Sequence, residues 1–351
     1  MQNKRNKIRV GFAFSGASTR SIFYIGFLEA LKENGYPIDY IASMSGATIV
    51  AASFASGTMD KLKEMAFSIN KEVVLGFLER SRSKGGLYHL RKVEELLRTF
   101  TKNYNFEDVS PRLGFVATDI VAGEEVVLQV GDLAKAICAS CTLPVVFEPQ
   151  PWGNKVLVDG GIINIVPGNV ARQAGMDLII GVDLRATRHV FSPWQIFLRK
   201  AINRVKKVLW PQFAKNFKER IMNQLRLSEF WEDNFYLGQT GHKLTDPNLL
   251  TVIGRSLDIA IEAQQRDKHS ENFECDMLIV PELELPFWKR NLFLRFTHVD
   301  NTKDYYLAGR KAAEEYLPKM WQLLKDKEEQ EKARAKQLET LFTQTENNKT
   351  K

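Results

Sequence analysis

Cysteine is scarce in this 351-residue chain: Cys138, Cys141 and Cys275 are its three. So small and odd a number builds no disulfide framework, and stability must come from a packed core. Cys138 and Cys141 do form a C-x-x-C, set in Ala-Ile-Cys-Ala-Ser-Cys-Thr-Leu-Pro with no second Cys or His pair nearby. Two small residues packed on a helix fit that context better than a metal or redox motif. Long apolar runs are missing too. With no uninterrupted stretch of 18 or more apolar residues, no transmembrane helix is expected. The opening Met-Gln-Asn-Lys-Arg-Asn-Lys is basic and leads into a short strand-like run, not a signal-peptide apolar region. The expected location is therefore cytoplasmic. No internal repeat is present. Histidine is thin: His89, His189, His242, His269 and His298 complete the set, and none falls in a convincing loop after a late core strand. A Ser-His-Asp triad thus lacks its base.

What is present suffices for a globular enzyme. Hydrophobic residues make up 44% and charged residues 26%, enough to bury a sizeable core and ordinary for a soluble protein. The net charge of +7 favours anionic partners such as nucleic acid, acidic lipid surfaces or phosphorylated substrates. Simple solubility explains a charge of this size as well.

Apolar runs and breakers alternate along the first half. Residues 8–14 read as a buried strand, followed by small residues and a helix over 20–34 that Gly35 and Pro37 stop. Residues 40–42 are a second strand and 47–56 a small-residue helix closed by Gly57. Further strands are expected at 113–118, 126–130, 155–158, 178–183 and 277–280, with helices at 132–141, 248–265 and 304–324. Strands alternating with helices predict an α/β fold with a mostly parallel sheet.

Three turns carry chemistry-bearing residues. Ser43-Met44-Ser45-Gly46-Ala47 lies between a strand and a helix, where a nucleophile elbow of pattern G-x-S-x-G would place its serine. The competing reading is a loop with Ser45 as helix N-cap. Ser15-Gly16-Ala17-Ser18-Thr19-Arg20-Ser21 follows a strand and opens a helix, so its N–H groups can hold a phosphate or an oxyanion. Ser18 and Ser21 occupy two glycine positions of a dinucleotide fingerprint, which disfavours that alternative. Asp159-Gly160-Gly161 ends a strand on the edge where ligands bind in such sheets, although an Asx-turn would also look like this.

The order of these elements resembles the patatin-like phospholipase family. Residues 11–21 match its opening strand and oxyanion loop, 25–31 the following helix, and 41–47 its elbow. Residues 139–149 match the block before the catalytic acid, and Leu157-Val158-Asp159-Gly160-Gly161 through Pro167 the acid motif. The resemblance runs in order from about residue 8 to 182. It implies the family's three-layer α/β fold, a Ser45–Asp159 dyad, and an oxyanion site from Gly16, Ala17, Ser18 and Gly46 supported by Arg20. It implies hydrolysis of lipid acyl esters, with no metal and no organic cofactor. Ala17, Ser18, Ser21, Ser43 and Ala47 replace glycines of the family pattern, and added Cβ atoms work against an aligned loop. A rival reading is therefore a weak or inactive relative that binds lipid or regulates.

One domain is expected over residues 8–324: a core over 8–187, a basic helical insertion over 187–245 and C-terminal elements over 246–324. Residues 325–351, nearly all Lys, Glu, Gln, Asn and Thr, are expected to fray into disorder. Within 194–222, Trp194, Phe197, Ile202, Val205 and Leu209 recur at helical spacing among eight Lys or Arg residues and the single acid Glu219. That pattern suits peripheral contact with an anionic membrane, and without a nucleic-acid motif no nucleic-acid partner is expected. The oligomeric state is not legible.

Overall fold

The computed structural model describes residues 7–81, 85–184, 256, 273–281, 283 and 302–349, all in one compact unit that takes in 1–187 and 247–351. The expected insertion over 187–245 and the helix over 248–265 lie outside the described residues, apart from Ser256.

The fold grows from strands whose every residue is apolar or small. β1 (Val10–Phe14), β2 (Tyr40–Met44) and β10 (Leu178–Val182) are buried along their whole length, as strands covered by helices on both faces must be. With β5 (Arg112–Asp119) and β11 (Met277–Ile279) they form a parallel set in the order β11-β10-β1-β2-β5. Side-chain alternation divides the core. Phe12, Phe14, Ile41, Phe115 and Ile180 face α1 (Phe23–Glu33), α2 (Gly46–Ala55) and the long C-terminal helix. Ala13, Ala42, Met44, Val116 and Ile179 face Val166, Val170 and Ala171 around α7 (Gly168–Gln173). The expected α/β fold, a mostly parallel sheet between helices, is what the structure has.

The stretch between α2 and β5, where the sequence suggested no elements, holds α3 (Met59–Ser68), α4 (Lys71–Gly76), β3 (Glu79–Arg80), β4 (Gly86–His89) and α5 (Arg91–Thr101). β6 (Glu124–Leu128) starts two residues earlier than the strand expected at 126–130, and Val130 is 72% exposed. α6 (Leu133–Ser140) then leads to β7 (Val145–Phe147), β8 (Gln150–Trp152) and β9 (Lys155–Asp159). β3, β4 and β7 make a separate small sheet.

β5 brings the two ends of the site together. One of its edges pairs with β6 from Phe115 to Asp119. The opposite edge is shared by two strands running toward each other. β2 takes its first part, with Met44 opposite Val116, and antiparallel β9 takes its last part, with Asp159 opposite Ala117. Their carboxyl ends therefore meet one register position apart.

The C-terminal helix, α8 (Thr302–Lys349), crosses α1 at very short range. A Cβ on Gly26 would collide with the Tyr306 carbonyl oxygen, and one on Gly309 with the Phe23 carbonyl oxygen. Arg310 clamps Glu33 with two hydrogen bonds, of 2.9 and 2.5 Å, while Glu29 accepts from Lys63 at 2.7 Å and Tyr306 at 2.8 Å. Residues 325–349, expected to fray, continue α8 instead. They contain no Gly or Pro and are rich in Glu, Lys and Gln, all strong helix formers. Lys327 also ties the helix to Asp276 at 3.1 Å.

Candidate active site

Ser45 follows the last residue of β2 and precedes the first of α2, with φ 51° and ψ −138°. A residue with a Cβ avoids this region, at a cost of about 1–3 kcal/mol, unless its surroundings hold it there. Its side chain does not cap α2. The helix start is closed from the other direction: the Thr48 hydroxyl and N–H both donate to the Ser45 carbonyl, at 2.6 and 2.9 Å. Ser45 therefore holds the N-cap position through its backbone alone, with the strained angles of a tight strand-to-helix turn. Around it, Ser43 and Ala47 are fully buried.

Asp159 terminates β9 and is 5% exposed. Its carboxylate accepts the Gly161 N–H at 2.8 Å. Burial pushes its pKa up to about 6, and the Ser45 side chain and the Gly161 N–H oppose the rise. Gly160 and Gly161 are needed because the chain turns in contact with the Val116 carbonyl and the Met44 side chain, where a Cβ at either position would collide. Farther along this loop, Asn164 and Asn169 bind one another and both bind Glu125.

The loop after β1 lies against the elbow. A Cβ on Gly16 would stand 2.6 Å from the Ser45 Cβ, and one on Gly46 would stand 2.8 Å from Ser21 Oγ and 3.0 Å from the Ser18 carbonyl. Ser18 opens a 3₁₀ turn, Ser18–Ile22, at φ 53°. Glycine would hold that angle without strain. The Gly16 N–H donates to Met44 Sδ at 2.9 Å and the Ala17 N–H to Ser21 Oγ at 3.3 Å. The loop thus lies against Ser45, with those two N–H groups turned to protein acceptors. A thioether sulfur is a weak acceptor and 3.3 Å is long for an N–H···O bond, so both are exchangeable. Arg20, 7% exposed, donates to the Leu184 carbonyl at 2.8 Å and anchors the loop to the chain beyond β10. Tyr24, stacked on Phe14, donates to the Ser15 carbonyl at 2.8 Å.

Ser140, Cys141 and Thr142, at the end of α6 and just after it, lie in the matched block 139–149 but were given no place at the site from the sequence. Ser140 Oγ donates to the Val116 carbonyl at 2.6 Å and accepts the Ser45 N–H at 2.9 Å. The Thr142 carbonyl accepts the Asp159 N–H at 2.8 Å, and Thr48 Oγ1 lies 3.8 Å from Cys141 Sγ. Burial pushes the Cys138 and Cys141 thiols up, the opposite of what a reactive thiolate needs. His89, the one histidine among the described residues, sits 2.5 Å from Glu148 on the small sheet.

Residues 12–172 match the family model described as patatin-like phospholipase. An uncharacterized NTE family protein of Mycobacterium tuberculosis is 32% identical over 179 residues, 51% of this chain and 50% of that one. The mouse patatin-like phospholipase domain-containing protein 6 is 27% identical over 182 residues, 50% of this chain but 13% of that one. The match thus spans half or less of these relatives. A crystal structure of VipD from Legionella pneumophila superposes with a TM-score of 0.36 at 12% identity, covering 88% of this chain and 67% of that one. The matched stretch, residues 12–172, holds both Ser45 and Asp159.

Proposed function

We propose, with the match of residues 12–172 to the patatin-like phospholipase family model as premise, that this chain hydrolyses carboxylic esters of phospholipids or related lipids through Ser45 and Asp159. The observation that carries the reading is a serine at positive φ just after β2, where β2 meets the buried carboxylate that ends β9.

Ser45 Oγ attacks the ester carbonyl while its proton passes to Asp159. The carbon–oxygen bond to the alcohol breaks, and that alcohol leaves with the proton. Water, deprotonated by Asp159, then attacks the acyl-enzyme and releases the fatty acid. An ordinary carboxylate, with a pKa of about 4, is a weak base for this work, and the raised pKa of Asp159 brings it nearer the operating pH. The oxyanion takes N–H groups from Gly16, Ala17, Ser18 and Gly46, displacing Met44 Sδ and Ser21 Oγ from the first two. Arg20 holds the loop in place. No metal or organic cofactor enters these steps.

The Cβ atoms of the oxyanion loop and the positive φ of Ser18 motivate a second reading, a weakly active or inactive protein that binds lipid. Lipid profiling by mass spectrometry separates the two. Wild type is expected to consume one ester class and release free fatty acid, and Ser45→Ala is expected to do neither. Equal profiles would leave only the binding role.

No described helix is long and apolar enough to cross a membrane. Access to lipid at a cytoplasmic membrane surface is assigned to 194–222, where each cation near an anionic surface adds about 1 kcal/mol. Replacing Arg204, Lys206 and Lys207 with Glu is expected to weaken hydrolysis of anionic vesicles and spare a soluble short-chain ester. Unchanged vesicle hydrolysis would remove the segment from the account.

A further inference from the structure

We infer that Ser140 is a positioning residue, whose hydroxyl fills the gap in the ladder between β2 and β9 and so holds Ser45 in its elbow conformation against Asp159. The inference rests on the hydrolase reading and adds a residue to it.

Where two strands end head-on along one edge of a third, the ladder is interrupted. Backbone groups at the break have no strand to pair with, yet this break is buried. Val116 and Ser140 are fully buried. An unpaired buried carbonyl or N–H is costly, so something must fill the gap. The Ser140 hydroxyl does it from both sides, donating to the Val116 carbonyl at 2.6 Å and accepting the Ser45 N–H at 2.9 Å. Serine is suited to this, because one oxygen both donates and accepts.

The bond to Ser45 falls on the residue whose backbone most needs holding, at φ 51° and ψ −138°. Two residues later the same chain segment holds the acid, through the Thr142 carbonyl and the Asp159 N–H at 2.8 Å. The Thr118 hydroxyl adds a third rung, to the Asp159 carbonyl at 2.9 Å. The end of α6 is thus one rigid piece bonded to the backbones of both nucleophile and acid. Without the Ser140 hydroxyl, the Ser45 N–H and the Val116 carbonyl both lose their partner. The turn then relaxes from its strained angles, and Ser45 Oγ withdraws from the carboxylate.

The test is steady-state hydrolysis of a soluble short-chain ester by Ser140→Ala, Ser140→Cys and Ser53→Ala. Ser53, on α2, is a fully buried hydroxyl without a hydrogen-bond partner, and its loss controls for simply removing a buried oxygen. Ser140→Ala is expected to lower kcat tenfold or more with KM within about twofold, and Ser53→Ala to stay near wild type. The Ser45 side chain lowers the pKa of Asp159, so its withdrawal is expected to move the acidic limb of the pH–rate profile to higher pH. A merely structural role would not move that limb. Ser140→Cys, which keeps a weak donor and acceptor, is expected to fall between wild type and Ser140→Ala, and it decides the matter if the alanine variant does not fold. A folded Ser140→Ala with wild-type kcat and an unmoved limb would overturn the inference, as would wild-type kcat in Ser140→Cys. A folded wild type inert toward every ester would sink the hydrolase reading and this role with it.

Discussion

Asp159→Asn is expected to abolish hydrolysis and, above neutral pH, to make the protein more stable. Asparagine keeps an oxygen for the Gly161 N–H but cannot take the Ser45 proton. A fall in kcat of about a thousandfold or more is the usual size for losing a member of such a unit. The stability gain follows from linkage. Burial raises the folded-state pKa of Asp159 from 3.8 to about 6. Between those values the folded protein holds a proton that the unfolded chain has lost. The carboxylate therefore costs nothing below about pH 4, costs progressively more up to about pH 6, and thereafter costs its full amount, about 2–3 kcal/mol. Melting at pH 8 should show Asp159→Asn above wild type, and the gap should close as pH falls toward 4. In wild type, kcat/KM should rise with pH through an acidic limb near 6, where the base loses its proton. A variant less stable than wild type at pH 8 would show that the carboxylate is not held against its own desolvation.

Adding a single methyl where α1 and α8 cross is expected to damage the fold. The atoms that a Cβ on Gly26 or Gly309 would strike are backbone carbonyls, which cannot swing aside as a side chain can. Gly26→Ala and Gly309→Ala should each cost about 1–3 kcal/mol, read by denaturant unfolding. Either one must push the helices apart, and once apart they have room for both. The double variant should therefore lose clearly less than the sum of the two. Additive losses would mean that the two glycines relieve separate clashes. Activity should fall as well, because the 3₁₀ turn that carries Ser18 and Arg20 runs directly into α1.

Residues whose surroundings are local in sequence could be read in advance. β1, β2 and β10 appear as unbroken apolar runs because helices cover both faces of a parallel sheet. The elbow and the acid turn appear as small residues at strand ends. Ser140 could not be found that way. Its two partners lie 24 and 95 residues off, and its role exists only because β9 reverses and meets β2 end to end. Nothing in Ala-Ser-Cys-Thr announces that reversal. The same holds for the Met44 sulfur on the Gly16 N–H: a core methionine and an acceptor at the site are one side chain, and only the fold shows the second use. The end of α8 went astray for a different reason. A charged stretch without apolar periodicity reads as loose chain, although its residues are strong helix formers and an established helix extends through them at small cost.

The most direct measurement is intact-mass analysis after exposure to an active-site fluorophosphonate. One adduct on wild type is expected, located at Ser45 by peptide mapping, absent from Ser45→Ala and formed far more slowly by Asp159→Asn. Undiminished labelling of Ser45→Ala, or no labelling of folded wild type, would contradict the assignment of Ser45 as the nucleophile.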